Sequence, residues 1–507
     1  VAQPFPSTVK ASVLDAKHPD WTSNAGTWET VSLLCEGGAH LKSKAGLFLI
    51  RRPKEPNEVY EARLQMFTYQ NILGTIAGWY ESALFRRDPE IDLPAEDAFL
   101  KGFLENCDRQ GTTFVDLFRR VFRYMLLYQN AYVLLDLPAR VSTPENYAEQ
   151  VAAGLLDPYL VAYAPLNIIN WKMDPWGNLE WAVIATEHIE QGFLADVAVC
   201  IERWNYFSTQ EFAVYERRTK VGEREKKDEA VLLDSGIHAL AAAKRVPICR
   251  LSIADTLWIG NRTHLQLIDH INTDNTYKWA LFVANLAMPV IITDDEITNV
   301  TLSELGYFKL GKGSSVSYAE PGGVSFERSA QRLDSLREEA YRQAYLQAQG
   351  RSAAATPAMQ SGYSKELDMM PAHDVLNDFG DRVRAGMKSV LRDVLTARGG
   401  LLGKADDAEP ITVRGFSFDE ADTEKEVLDT EAVRRLALPS DTLDLILAKR
   451  VATAALGDVE QSVRDKVMKE LESAPPKSDR DAAEKEERLK EMENAMGGAA
   501  AGGFGGE

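Results

Sequence analysis

The sequence predicts an α+β fold in which two long helices flank a small β insert. Three observations carry this. Residues 159–217 are dense in β-branched and aromatic residues and are broken by turn chemistry, as half-buried strands require. Residues 258–287 and 328–349 carry apolar side chains at three-and-four spacing, with about forty residues of short strands and turns between them. Residues 420–496 read as charged helices.

Taken in order, residues 58–85 place Tyr60, Leu64, Phe67, Ile72, Ile76 and Trp79 at helical spacing, which predicts one amphipathic helix started by Pro56 and Asn57. DPEIDLP follows as a short extended piece. Residues 112–129 form a second helix that runs into the strand AYVLLDLP, stopped by Pro138. Between YLVAYAPLNIINWKMD and LEWAVIATEHI lies Asp174-Pro175-Trp176-Gly177-Asn178, which is hairpin chemistry. VAVCIERWNYFS and QEFAVYERR are further strands, and VGEREKKDE is a charged loop tip. The helix 258–287 would be about 45 Å long at 1.5 Å per residue. Its stripe is Leu265, Ile268, Asn272, Asn275, Trp279, Phe282 and Leu286. Two asparagines on such a stripe suggest packing against a neighbour, where a buried Asn sets register. The returning helix carries Leu333, Leu336, Ala340 and Ala344 on one line and Arg328, Arg332, Glu339 and Arg342 on another. RSAAATPAMQSG reads as a flexible loop. A long helix follows over about 364–397, ended by Gly399-Gly400, and ITVRGFSFD reads as one strand. GGAAAGGFGGE is a Gly/Ala tail that cannot pack a core.

The 507 residues are 45% hydrophobic and 26% charged, an ordinary globular balance. The net charge is −19, and residues 419–507 alone hold 13 Lys+Arg against 22 Asp+Glu. Tight gripping of nucleic acid by its phosphates needs a basic surface, so most of this surface is excluded from that work. Cys35, Cys107, Cys200 and Cys249 lie far apart with no zinc spacing and read as buried thiols of a reducing compartment. The opening residues contain no apolar signal-peptide core. The most apolar stretch, Trp279 to Ile292, is interrupted by Asn285 and Pro289 and falls short of the ~20 residues of a membrane span. The expectation is a soluble chain made inside the cell, with no membrane partner.

Catalytic patterns are weak. Gly306 to Gly313 nearly fits a phosphate-binding loop, but Gly313 stands where the metal-binding hydroxyl belongs, and no strand precedes it or helix follows it. Asp294-Asp295-Glu296 reads as a solvated turn rather than a converging metal site. His264 and His270 are six apart and do not share a helical face as a zinc pair would. No nucleophile elbow or HExxH occurs. The sequence therefore predicts no enzyme, no metal and no cofactor.

Several segments, taken in order, resemble a tailed-bacteriophage portal protein. LVAYAPLNIINWKMDPWGNLEWAVI is similar to the wing pattern of strand, turn and returning strand, and AAKRVPICRL to the Pro-led strand before the stem. GNRTHLQLIDHINTDNTYKWALFVANLAMPVII resembles the first stem helix, with Leu267, Ile268, Asn272 and Asn275 at the matching places. LGKGSSVSYAEPGGVSFE looks like the clip return, including an apolar strand after its Gly-rich turn. MQSGYSKELDM resembles the segment after the tunnel loop, and EPITVRGFSFDEAD with LPSDTLDLIL the last wing strand and the path to the crown.

The resemblance implies a non-enzymatic subunit of a ring, expected to be dodecameric, at one capsid vertex. Double-stranded DNA would pass through without sequence specificity. The wing would be 1–257 with 363–418, the stem helices 258–287 and 328–350, the clip 288–327, the tunnel loop 351–362 and the crown 419–496, with 497–507 a disordered tail. Implied partners are further copies of the chain, the major capsid protein, the large terminase and a head–tail adaptor, with assembly in the host cytoplasm and a final place in the virion. Arg351, Ser352, Thr356, Gln360, Lys309 and Lys312 would touch DNA in the channel. Leu265, Ile268, Asn272, Asn275, Trp279, Leu333 and Leu336 would pack between subunits, and Asn272→Leu is expected to disturb ring register more than monomer folding. Tyr307, Phe308 and Tyr318 would contact partners at the clip, since aromatic side chains anchor interfaces. An acidic conduit wall would also let DNA slide. The alternative is a tail or adaptor ring protein, which would not need paired helices around a clip.

Overall fold

The computed structural model describes residues 5–92, 98–138, 154, 156–193, 197–223, 228–285, 288–292, 315–319, 323–347, 362–401, 411–416, 430, 433, 440–455 and 461–473. The chain divides into two compact units, Val1–Ser417 and Phe418–Glu507.

In the first unit, helices α1 (Ala11–Leu14), α2 (Pro19–Glu36), α3 (Gly38–Ser43), α4 (Asn57–Gln65), α5 (Ile72–Leu84), α6 (Ala98–Glu105) and α7 (Phe114–Tyr128) come first. The two-residue strand β1 (Thr8–Val9) and the short β2 (Glu90–Asp92) lie among them. α7 is the hub of the core. Phe114, Leu117, Phe118, Val121, Phe122 and Met125 are all fully buried, and Thr113 caps the helix by accepting the Asp116 amide at 3.1 Å. Strand β3 (Asn130–Asp136) follows directly and pairs antiparallel with β4 (Tyr159–Tyr163) on one side and β10 (Ile248–Ser252) on the other.

Strands β5 (Ile168–Met173), β6 (Leu179–Glu190), β7 (Val199–Ser208), β8 (Glu211–Lys220) and β9 (Ala230–Ile237) form an antiparallel meander, and β1 adds to the β9 edge. One face of this six-stranded sheet buries Ile168, Ala182, Ile184 and Phe207 against Tyr132, Leu134, Val246 and Ile248. The other face buries Val183, Trp204, Ala213 and Tyr215 beneath Ala11, Phe5, Val9 and Trp21 of the N-terminal segment. The expected hairpin at 174–178 is present: the Asp174 carboxylate accepts the amides of Trp176 and Asn178 at 2.9 and 2.8 Å. The charged tip at 221–229 joins β8 to β9, and its middle lies outside the described residues.

Helix α8 (Ile259–Asn285) leads to strand β11 (Met288–Ile292), which pairs antiparallel with β12 (Ser315–Ala319). Helix α9 (Gly323–Gln343) returns, followed by α10 (Gly362–Leu401) and the short strand β13 (Thr412–Arg414), which pairs with β2. In the second unit α11 (Asp441–Ala455) and α12 (Gln461–Ser473) are described. The fold is thus mixed helix and sheet, as expected.

Four expectations about the elements are corrected. The helix expected over 58–85 is two, because the Asn71 side chain caps α5 by accepting the Gly74 amide at 2.8 Å and donates to the Cys35 carbonyl, which stops α4 from running on. The returning helix begins at Gly323 rather than 328. Val324 and Phe326 are therefore helical, not a strand, and Phe326 meets Tyr277 of α8 edge-on at 6.3 Å. Gly399-Gly400 do not end α10. Burial of Val394 and Ala397, and the Arg398 guanidinium 4.0 Å over the Phe99 ring, hold its last turns against the glycine penalty. Among the described residues of ITVRGFSFD, Thr412–Arg414 are strand, since Gly415 and Phe416 turn to φ of +113° and +61°.

Candidate functional site

α8 and α9 run antiparallel. Tyr277 meets Phe326 at one end, the Asp269–Arg332 ion pair (2.8 Å) lies in the middle, and Arg262 donates to the Gln343 carbonyl (2.9 Å) at the other. The pair is rooted in the body at that last end. Gly260 passes so close to α7 that a Cβ there would lie 2.3 Å from the Leu127 carbonyl oxygen. Trp258 donates its indole N–H to the same carbonyl (2.6 Å), and Tyr80 donates its hydroxyl to the Ala344 carbonyl (2.6 Å). At the far end, β11 and β12 form the small two-stranded sheet.

The buried face of α8 is Thr263, Leu267, His270, Ile271, Asp274 and Asn275. It shares only Asn275 with the expected stripe, whose Leu286 lies outside the described residues. Of that stripe Leu265 and Phe282 are exposed and Ile268, Asn272 and Trp279 half-buried, with Trp279 packed on Phe282 at 5.7 Å. Leu336 of α9 is buried and Leu333 half-buried.

Both asparagines are satisfied within the chain. Asn272 accepts the Ile50 amide and donates to the Phe48 carbonyl, each at 2.9 Å. Asn275 accepts the Thr68 amide at 3.0 Å and donates to the Thr68 carbonyl at 2.9 Å. Each side chain thus replaces a missing main-chain partner for an irregular segment laid along α8. Asn272→Leu would therefore also remove two bonds within the subunit, beyond any effect on ring register.

Two charged groups lie beneath this segment. Glu55 and Arg63 pair at 2.8 Å with side chains only 3% exposed. Burial pushes the Glu55 carboxyl up, but hydrogen bonds from Arg63 and the Arg52 amide outweigh it and hold it below the usual range. His270 is buried, with Asp274, Lys278, Arg337 and Asp269 around it, and its Nδ1 has no hydrogen-bond partner. Burial pushes its pKa down, so the ring is neutral at pH 7. Burial also pushes the Cys107 and Cys249 thiols up to about 12 and about 11, which disfavours thiolate chemistry at either.

Tyr318 occupies β12 opposite Pro289. Arg351, Ser352, Thr356, Gln360, Lys309, Lys312, Tyr307 and Phe308 lie outside the described residues, as do Gly306–Gly313 and Asp294–Glu296. Sequence reasoning passed over the segment 42–55, part of which, at Phe48 and Ile50, borders α8. Its signal was present: residues 37–54 contain five Lys/Arg and no Asp/Glu in a chain of net charge −19.

No known protein family matches the chain, and no curated protein does. Solved structures similar to it include two gene transfer agent particles. One, described as the virion of a native gene transfer agent particle, holds a chain 14% identical, with 79% of this chain and 96% of that one covered at a TM-score of 0.37. The other, the neck of an empty gene transfer agent particle computed with C6 symmetry, gives 12% identity, 87% and 99% coverage and a TM-score of 0.34. Among the described residues no helix is long and apolar enough to cross a membrane.

Proposed function

We propose that this chain is the subunit of a portal ring, a structural channel for double-stranded DNA at a capsid vertex. The observation that carries the reading is the antiparallel α8–α9 pair, rooted in a strand-rich body at one end and tipped by a two-stranded sheet at the other. A helix of 27 residues spans about 40 Å. Apolar side chains left on its open border favour a neighbour that covers them, and a head-to-tail contact repeated by rotation closes into a ring. In this reading Leu265, Ile268, Trp279 and Leu333 pack at or near the subunit boundary. The tip bearing Tyr307, Phe308 and Tyr318 docks the terminase and later the head–tail adaptor. The loop with Arg351, Ser352, Thr356 and Gln360 meets DNA in the lumen, and Lys309 and Lys312 make transient phosphate contacts.

Light scattering with negative-stain imaging of the purified protein tests this. The expected result is a closed ring of about twelve copies with a hole wide enough for duplex DNA. A compact dimer with no hole would overturn it.

A further inference from the structure

The α8–α9 pair has two unlike borders. On one side of α8, opposite α9, the segment 47–68 is held by Asn272 at Phe48 and Ile50 and by Asn275 at Thr68. There Leu47, Ile50 and Leu265 are 73, 68 and 64% exposed, and Met66 and Phe282 join them. Exposed Lys42, Lys44, Arg51 and Lys54 surround Leu47 and Ile50 in the chain. On the other side is the outer edge of α9. Arg328 and Arg332 lie on the edge toward α8, where Arg332 pairs with Asp269. Glu327, Asp334 and Glu338, at i, i+7 and i+11, form the edge turned away, with exposed Val324 and half-buried Tyr341 on the same outer side.

We propose that the acidic outer edge of α9 in one copy docks on the basic, apolar border of α8 in the next. The inference deepens the portal reading and rests on it, since it names the two faces by which neighbouring subunits meet. Two features choose a second copy as the occupant. The basic stretch 42–54 and the line Glu327, Asp334 and Glu338 are opposite in charge, and they belong to opposite borders of one helix pair. A chain whose left border fits its own right border makes a head-to-tail contact, the kind that repeats around a ring. The apolar centre supplies the desolvated patch, while the charges around it set orientation and reject wrong registers.

Charge reversal on each side tests this in the full chain. Variant A carries Lys42→Glu, Lys44→Glu and Lys54→Glu; variant B carries Glu327→Lys and Asp334→Lys. All five side chains are exposed, so circular dichroism and melting should match the wild type. Each variant alone is expected to need at least tenfold more protein to assemble, read as mass by light scattering. An equal mixture is expected to restore assembly, because A then offers an acidic border to B's basic edge, and B the reverse. Wild-type assembly by both variants alone would overturn this contact while leaving the ring standing. A failure of the mixture, with both variants folded, would also overturn it. A wild-type chain that stays monomeric would overturn the portal reading and the contact together.

Discussion

Replacing Asn275 by Leu tests the clamp that holds the 66–71 segment to α8. The two side chains are close in volume, so packing changes little. What goes is the pair of hydrogen bonds at 3.0 and 2.9 Å to the amide and carbonyl of Thr68. Each is worth about 1 kcal/mol net, and a stranded main-chain group costs roughly 1–3 kcal/mol. Thr68 is reached by water on one side, which keeps the penalty at the low end. The expected loss is about 2–3 kcal/mol, a change of roughly 30- to 150-fold in a local opening equilibrium. Because a chain of two units need not unfold in one step, amide hydrogen exchange is the better assay. The Thr68 amide should exchange faster by that factor, while Ile50, still held by Asn272, should not change. Exchange at Thr68 within twofold of wild type would refute the clamp. An equal acceleration at Ile50 would show that the segment opens as one piece.

Three further outcomes are expected. Arg63→Met strands the buried Glu55 carboxylate and should cost about 3 kcal/mol, and adding Glu55→Met should recover most of it; urea unfolding of the three proteins would show this. His270 and His238 are both held neutral by burial, so the unfolded chain binds more protons than the native one near their ordinary pKa of 6.5. Stability should therefore fall as pH drops through 6.5 and level off below the depressed native values, and His270→Leu should flatten part of that slope in melts between pH 7.5 and 5.5. Gly260→Ala places a Cβ 2.3 Å from the Leu127 carbonyl oxygen, a main-chain atom that cannot step aside. It should cost about 3 kcal/mol in thermal unfolding, at the upper end for overpacking.

Of the six-stranded sheet, β5 to β8 were legible because their information is local, while β1 and β9 were not read from the sequence. Alternating apolar residues and an Asp-led turn are read within a dozen residues, and the Asp174 carboxylate makes its turn bonds within four. The break between α4 and α5 was not, since Thr68 is captured by a side chain 207 positions away. The stripe on α8 was displaced for a related reason. Its buried face includes Thr263, His270 and Asp274, whose polarity marks them as outward in any periodicity argument. Thr263 meets its need by donating to the Ile259 carbonyl at 2.8 Å and Asp274 by pairing with Lys278 at 2.5 Å. Only the folded chain supplies the surroundings in which such groups are cheap to bury. The candidate site was half legible. The apolar border of α8 follows from spacing, whereas the partner segment needed the knowledge that Asn272 reaches Phe48 and Ile50.

The small strand β1 bears on the timing of folding. Thr8 and Val9 pair with Val231 and Ala230, and Ser12 is held by the Asp228 carboxylate at 2.8 Å. On a ribosome making roughly 5–20 residues per second, the strand therefore waits on the order of 10–45 s for its partner to be made. The face covered by Phe5 and Trp21, with Ile169, Val183, Trp204 and Tyr215, is made before β9, so only the main-chain partner of Thr8 and Val9 is late. When β9 arrives its outer edge is open, the arrangement most prone to pairing with a foreign strand. Pairing of β1 with β9 is thus among the last steps in completing this sheet.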